Sequence, residues 1–496
     1  MNDIDEAPGP AKRAGKAVIW RTVQLVAVKA IFMLRLVVLA WLLTPDDFGL
    51  VAIATTAVGF LLQLTEFGMI PALIQGREVD EAHYNVAWTV GVTRATGVCL
   101  VVLFLAPWMA QLFSEPRATP IIQVLALRPI LDSLASIKVA RLTRELDFRP
   151  LAILKLSEAI VSFIVAVLLA PAWGVWALVA GILAGSTTYL VLSYVVTSYR
   201  PRFSFAWETI RPLIRFGRWV FLTGLIVLAG NYVHRIVISR QLGTADLGLY
   251  FLAAQLAFLP AEAASEVVGA VVFPLFSRLQ SDARRAAETF RMAFTGLAMP
   301  VYLACALLIT LAPSLIENVL GPKWEGTAAV IQILALVSMI GIFGEVAVPL
   351  FNGFGLPNRV TAIEVVQSAS IILFVLLLTG RFGLSGAALA WLPTAVISQI
   401  VSIAFLRDLL PQPLTGLGRP FLVLLAATAV SGVIALATVT AFPGLAGLLL
   451  AAALAGLAYG LVIWISDRKF GLGCFEILKR LFPQLTARIG ARHPVA

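Results

Sequence analysis

The chain has 496 residues, 60% of them hydrophobic and only 13% charged, with a formal net charge of +10. Soluble domains carry about 45–50% apolar and about 25% charged residues, so a soluble globular protein is excluded. The run Phe421–Ser466 contains no charged residue and is too long for a single crossing of about 20 residues, which makes the chain an all-α polytopic membrane protein; barrel strands alternate polar and apolar residues, so a β-barrel is excluded as well.

In chain order, residues 1–16 are polar with Pro and Gly and lack an apolar core, so they are not a cleavable signal peptide and are expected to be cytoplasmic. About fourteen crossings of membrane-spanning length follow. Their approximate cores are 18–43, 48–75, 85–113, 119–141, 150–171, 174–198, 217–242, 247–277, 291–320, 326–354, 359–380, 384–406, 420–442 and 445–466. The fourth has the weakest hydropathy because it carries Arg128, Asp132 and Lys138. Pro443-Gly444 marks the turn of the last hairpin. Pro71, Pro260, Pro274, Pro300 and Pro349 fall inside predicted helices and are expected to kink them.

The sequence repeats itself. Thr44-Pro45-Asp46-Asp47-Phe48-Gly49-Leu50 returns as Thr244-Ala245-Asp246-Leu247-Gly248-Leu249, and Glu66 has its counterpart at Glu266. Ile122-Gln123-Val124-Leu125-Ala126-Leu127 returns 209 residues later as Ile331-Gln332-Ile333-Leu334-Ala335-Leu336, and Gly174 and Gly383 share that offset. The second copy supports the fourth crossing. Helices one to six match seven to twelve, so the halves share one orientation and should be related by a pseudo-twofold axis along the membrane normal, around a central cavity. The expected organisation is an N-lobe at 17–198, a cytoplasmic linker at 199–216, a C-lobe at 217–406, two extra helices within 407–466, and a basic cytoplasmic tail at 467–496. The tail reads equally as an amphipathic surface helix and as a disordered segment.

Basic residues set the orientation. Arg141, Arg144, Arg149, Arg200, Arg202, Arg211, Arg215, Arg278, Arg284 and Arg285 fall in one set of loops, whereas the opposite set offers Arg117, Lys323 and Arg381. The positive-inside rule makes the first set cytoplasmic, with both termini on that side. It also accounts for the net positive charge without nucleic acid.

Charged groups at membrane depth cost roughly 2.5–3.5 kcal/mol each on insertion scales and usually face a cavity or a partner. Arg21, Lys29 and Arg35 fit one broad face of the first helix, Arg21 and Arg35 about 40° apart at 100° per residue. Arg94, Asn231 and Arg235 complete the candidate substrate-binding set, a cationic wall suited to phosphate oxygens. Arg21 and Arg218, near the cytoplasmic boundary, read first as snorkelling helix ends. Glu66, His234, Glu262 and Glu266 are candidate counterions or coupling groups; Glu262 and Glu266 share a face at i,i+4, and Asp132, Glu158, Glu345 and Glu364 are further embedded carboxylates. His234 reads first as a hydrogen-bonded structural group. Cys99, Cys305 and Cys474 have no metal-ligand spacing, no Ser/His/Asp constellation can be assembled, and no Gly-rich phosphate loop is present. No catalytic residue, metal or cofactor is expected.

Leu43-Thr-Pro-Asp-Asp-Phe-Gly-Leu50, Glu66-Phe-Gly-Met-Ile-Pro-Ala-Leu-Ile-Gln75, Arg141–Phe148, Gly174-Val-Trp-Ala-Leu178, Tyr199-Arg-Pro201, Leu247-Gly-Leu-Tyr250, Phe273-Pro274 with Ser277, and Gly321-Pro-Lys-Trp324 form an ordered series over roughly residues 16–410. The series resembles the polysaccharide transporter family, the flippases of O-antigen, capsule and exopolysaccharide repeat units in the multidrug/oligosaccharidyl-lipid/polysaccharide superfamily. The resemblance implies two six-helix lobes and movement of an undecaprenyl-diphosphate-linked oligosaccharide from the cytoplasmic to the periplasmic leaflet of the bacterial inner membrane. Its implied partners are the bilayer, that lipid-linked glycan, and the polysaccharide polymerase and export machinery. The alternatives are a drug/cation antiporter of the same superfamily, disfavoured by the excess of embedded Arg and Lys, and the peptidoglycan-precursor flippase. A membrane polymerase or ligase is disfavoured by short predicted periplasmic loops.

Overall fold

The computed structural model describes residues 10–65, 81–145, 147–204, 230, 232–410 and 416–470. Glu66, Asn231, Pro71, Arg218, most of the 199–216 linker and the tail beyond 470 lie outside the described residues. Among the described residues every regular element is helical. In chain order these are α1 (Pro10–Leu42), α2 (Pro45–Leu64), α3 (Glu81–Leu112), α4 (Ala118–Leu125), α5 (Arg128–Leu134), α6 (Val139–Arg144), α7 (Phe148–Trp173), α8 (Val175–Thr197), α9 (232–242), α10 (Thr244–Val267), α11 (Phe273–Arg278), α12 (Ala283–Leu315), α13 (Thr327–Gly353), α14 (Pro357–Leu389), α15 (Trp391–Leu409), α16 (Gly418–Ala441) and α17 (Leu445–Phe470).

Twelve described helices are long and apolar enough to cross a membrane. The fourth predicted crossing, 119–141, is not one continuous helix but three short ones, α4, α5 and α6, with non-helical backbone at Ala135. The seventh, 217–242, is described only as α9 and residue 230. A π-helical turn, Val268–Val272, joins α10 to α11 just before Pro274, where the missing proline N–H relaxes the helical hydrogen-bond ladder. Large apolar side chains point outward along many spans: Phe104 is 83% exposed and Leu168 74%. Such a surface would drive a water-soluble protein to aggregate, and it suits contact with lipid chains.

Two compact units divide the chain. The first comprises Met1–Leu228 with Gly243–Gly248, the second Ala229–Leu242 with Leu249–Ala496. In the first, α7 and α8 lie in close contact because small residues face each other: a Cβ at Gly181 would stand 2.7 Å from both the Ala166 Cβ and the Ser162 carbonyl oxygen. In the second, Phe290 and Phe294 on α12 stack edge-on against Phe343 on α13, and Phe351 against Phe405 on α15. This core encloses Val346, Ala347 and Leu350 fully.

The duplication is visible at backbone resolution within each unit. Gly174 turns α7 into α8 with φ 52°, ψ −127°, and Gly383 breaks α14 with φ 58°, ψ −139°, a conformation nearly exclusive to glycine. Ile122, Leu125 and Ala126 are buried as Ile331, Leu334 and Ala335 are, while Leu127 and Leu336 both face outward at 45% and 41% exposure. The Gln123 side-chain amide donates to the Leu103 carbonyl, and its counterpart Gln332 donates to the Ile309 carbonyl. The same side chains therefore perform the same packing in each copy.

A membrane cavity at a broken helix

The break between α5 and α6 gives the first unit its polar interior. Ala135 leaves the helical conformation with φ −58°, ψ 155°, which frees backbone groups beside the last turn of α8. Neighbouring helices satisfy them. The Leu134 carbonyl accepts from the Trp88 indole N–H (3.4 Å) and the Tyr194 hydroxyl (2.6 Å). The Ser136 N–H donates to Ser193 Oγ at 2.8 Å, and the Ser136 hydroxyl pairs with Thr197 Oγ1 at 2.6 Å. Irregular backbone in a membrane protein is tolerated where protein covers it or where it lines a cavity, and both conditions hold here. A cavity of about 650 Å3 borders the break, lined by Ser133, Ala135, Ser136 and Ile137 together with Gln63, Trp88, Arg94, Asp132, Thr143 and Tyr189.

Of the charged residues, Arg94 and Asp132 line the cavity, one of each sign, and Arg128, Lys155 and Glu158 are their neighbours in sequence or contact. Arg94 lines the cavity and donates from Nη1 to the Thr65 carbonyl at 3.0 Å, which anchors the guanidinium to the last turn of α2. Arg128 and Asp132 form a half-exposed i,i+4 pair at 3.4 Å. Lys155 pairs with Glu158 at 2.8 Å and sits 4.2 Å from the centre of the Tyr189 ring. Arg35 on α1 donates to Ser162 Oγ on α7 at 2.7 Å and lies within electrostatic range of Arg128. Against these four cations stand Asp132 and Glu158, so the described group carries a net positive charge.

Of the candidates read from the sequence, Arg94 reaches this cavity and Arg35 borders the same cluster. Arg21 is half-buried on α1, hydrogen-bonds Gln24 and lies over the Phe148 ring at 5.9 Å, and Lys29 is half-buried on the same helix. His234 and Arg235 belong to the second unit. His234 is 6% exposed and wedged between Tyr250 and Trp391, with ring centroids 5.7 and 5.4 Å away. Arg235 stands 6.0 Å from the Phe251 ring. Glu262 is exposed and Glu266 half-buried, also in that unit. The candidates are thus distributed over both units, and the first-unit site adds Trp88, Ser136 and Tyr189, which sequence reasoning passed over. Their one signal was the weak hydropathy of the fourth crossing, which marked a helix that is broken.

The two ends of α3 differ in charge. At its Glu81 end, Lys138 pairs with Glu81, and Asn85 Oδ1 accepts from the Tyr199 hydroxyl at 2.6 Å and the Arg202 N–H at 3.2 Å. Burial pushes the Tyr199 phenol up to about 12, so it remains a donor at neutral pH. At the other end, Arg117 makes two hydrogen bonds to Asp46 (2.9 and 3.1 Å) and two to Glu115 (2.7 and 2.8 Å). Arg117 beside it holds the Glu115 carboxyl below the usual range, with the Thr244 hydroxyl helping. Among the described residues no group of His, Cys, Asp and Glu could hold a metal ion.

Comparison with known proteins agrees with this arrangement. The chain is 23% identical over 389 residues to the lipopolysaccharide biosynthesis protein WzxC of Escherichia coli (strain K12), covering 77% of this chain and 78% of that one. It is 27% identical over 350 residues to the succinoglycan biosynthesis transport protein ExoT of Rhizobium meliloti (strain 1021), covering 70% of each. Its fold matches the lipid II flippase MurJ in an inward closed conformation, with a TM-score of 0.73 at 14% identity, over 91% of this chain and 99% of that chain. It also matches an inward-facing MATE multidrug transporter of the MOP superfamily, with a TM-score of 0.58 at 16% identity, over 79% of this chain and 97% of that chain. Residues 38–329, more than half of the chain, match the family described as polysaccharide biosynthesis protein, and the chain belongs to that family.

Proposed function

We propose that this chain is a flippase that carries undecaprenyl-diphosphate-linked oligosaccharide repeat units from the cytoplasmic to the periplasmic leaflet for surface polysaccharide synthesis. The observation that carries the reading is a cavity at a broken helix, lined by Arg94 and Asp132 with Arg128 and Lys155 nearby, in a chain of a polysaccharide biosynthesis family. Transporters commonly build their substrate sites at discontinuous helices. The substrate combines a diphosphate, a polar glycan and a long apolar tail. Arg94, which lines the cavity, suits the diphosphate, because guanidinium groups bind phosphate oxygens in a bidentate fashion, and Arg35 is proposed as a further contact. About 650 Å3 is a ligand-sized volume that fits the headgroup region, and the tail would remain in lipid. Arg21, Lys29, Asn231 and Arg235 are proposed as further contacts along the path, and Glu66, His234, Glu262 and Glu266 as counterions or coupling groups.

Orientation follows the charges. Arg141, Arg144, Arg200 and Arg202 cluster at the Glu81 end of α3, which we assign to the cytoplasm, and the Asp46–Arg117 end to the periplasm. Both termini are then cytoplasmic, the membrane is the bacterial inner membrane, and the polymerase and export machinery act downstream. The organisation into an N-lobe at 17–198, a linker at 199–216, a C-lobe at 217–406 and two further helices belongs to the same proposal.

A clean deletion tests it, with assay of surface polysaccharide and of lipid-linked repeat units on each leaflet. Repeat units trapped on the cytoplasmic leaflet, with polysaccharide lost, are the expected result. Repeat units that still reach the periplasm would overturn the proposal. Normal polysaccharide with altered drug sensitivity would favour the antiporter, and accumulated peptidoglycan precursor the related flippase.

A further inference from the structure

We propose that the seam between α1 and α7 holds the headgroup of an anionic membrane phospholipid, its phosphate gripped by Arg21 and Arg149. The ligand is a resident lipid and not the cargo, so the inference stands apart from the transport reading. The four residues that build the site, Trp20, Arg21, Phe148 and Arg149, all belong to the first unit.

Two consecutive pairs exchange partners across the seam. The Arg149 guanidinium of α7 lies over the Trp20 ring of α1, 6.0 Å from its centre, and the Arg21 guanidinium of α1 lies over the Phe148 ring of α7 at 5.9 Å. A guanidinium held on an aromatic face keeps the N–H donors along its edge. Arg21 uses one on Gln24 Oε1 at 3.3 Å, and neither arginine has a carboxylate partner among the described residues. Nearby cations do: Arg141 pairs with Glu145 at 2.7 Å, Lys155 with Glu158 at 2.8 Å, and Lys138 with Glu81. Asp147, the acidic residue next to Phe148, is exposed and ion-pairs with neither arginine. Two ring-held guanidiniums with donors left over make a fork for phosphate oxygens.

The place of these residues along their helices selects a lipid headgroup over a free anion. The apolar span of α1 runs Val23–Leu42, and that of α7 runs Phe148–Trp173. Trp20 and Arg21 immediately precede the first span, and Phe148 and Arg149 open the second. The four therefore stand together at one membrane boundary, where aromatic and basic side chains meet headgroups. One turn further on, Val23 shares a face with Trp20 at i,i+3 and Ile153 with Arg149 at i,i+4, and both point outward at 46% and 48% exposure. The seam thus passes from cationic to apolar in the order of a phospholipid, phosphate first and then acyl chains. Two positive charges against one phosphate favour a headgroup without an amine of its own, such as phosphatidylglycerol.

Native mass spectrometry of the full-length protein in detergent tests the site, with phosphatidylglycerol titrated against phosphatidylcholine. Phosphatidylglycerol should bind the wild type more tightly, and the double variant Arg21→Gln/Arg149→Gln should weaken it roughly tenfold or more. Arg200→Gln/Arg202→Gln removes the same charge elsewhere in the unit and should leave binding unchanged; an equal loss there would mean diffuse electrostatics and overturn the site. Trp20→Leu/Phe148→Leu keeps both charges but removes the rings, and should weaken binding several-fold; full binding by this variant would overturn the ring-held fork. Each variant should elute as one monodisperse species, which separates lost binding from misfolding. Millimolar inorganic phosphate should not displace the lipid, and displacement would assign the seam to a free anion. Preference for undecaprenyl phosphate, lost in the same arginine variant, would place Arg21 and Arg149 on the path of the cargo and overturn a resident-lipid site.

Discussion

Alanine at Gly174 or Gly383 should cost the same amount, and that amount can be worked from the backbone. At Gly383 an added Cβ meets no heavy atom within 4 Å, and at Gly174 it meets Asp47 Oδ1 at 3.5 Å, ordinary contact. No collision enters, so the cost is the conformation. Both residues hold φ near +55° with ψ near −130°, a region that side-chain-bearing residues rarely enter and that costs of order 1–3 kcal/mol when forced. At about 1.4 kcal/mol per factor of ten, each substitution should shift the folding equilibrium roughly tenfold to a hundredfold. The assay is denaturant unfolding in detergent micelles, followed by tryptophan fluorescence. Gly460→Ala on α17 is the control: nothing lies within 4 Å of its added Cβ, and alanine in a helix gains about 0.5–1 kcal/mol. If Gly174→Ala and Gly383→Ala unfold no more easily than Gly460→Ala, the strain argument fails. If the two differ by several kcal/mol, the turns are not equivalent.

Further expectations follow from the cavity and from the Asp46–Arg117 end. Arg94→Lys keeps the charge but loses the fork that reaches the Thr65 carbonyl, so polysaccharide export should fall at unchanged membrane abundance, and export at the wild-type rate would remove Arg94 from the site. Trp88→Phe and Tyr194→Phe each remove one donor to the Leu134 carbonyl and should each cost about 0.5–1.5 kcal/mol. The double variant should cost more than the sum, because it orphans a buried carbonyl; simple additivity in micelle unfolding would refute the broken-helix account. Glu115 is depressed by Arg117, so its contribution is complete above the ordinary Glu value of about 4.3 and is lost as the pH falls through its lower folded value. Micelle unfolding should thus show no loss from Glu115 between neutral pH and about 5 and a loss only below about 4.3, which Glu115→Gln should remove. Gly181→Val should drive α7 and α8 apart, because its Cβ would stand 2.7 Å from Ala166 and Ser162, and should abolish a well-folded species in size-exclusion chromatography.

Composition and hydropathy alone determined the class, and the internal repeat alone determined which helices correspond. Both are local signals. A bilayer demands apolar runs of fixed length, and duplicated motifs keep their residues in order. Gly174 and Gly383 could be paired from sequence because only glycine tolerates the turn they make. Arg35 and Arg94 could be nominated because embedded charges are costly. Sequence could not show that the fourth crossing is broken at Ala135, since a break is paid for by Trp88, Ser193 and Tyr194, which lie 47–59 residues away in the chain and carry no mark of that duty. Nor could it show that Thr44–Leu50 and Thr244–Leu249 touch. Resemblance between motifs says that two helix starts are alike, whereas contact between them depends on how distant helices fold back, and only the tertiary structure decides that.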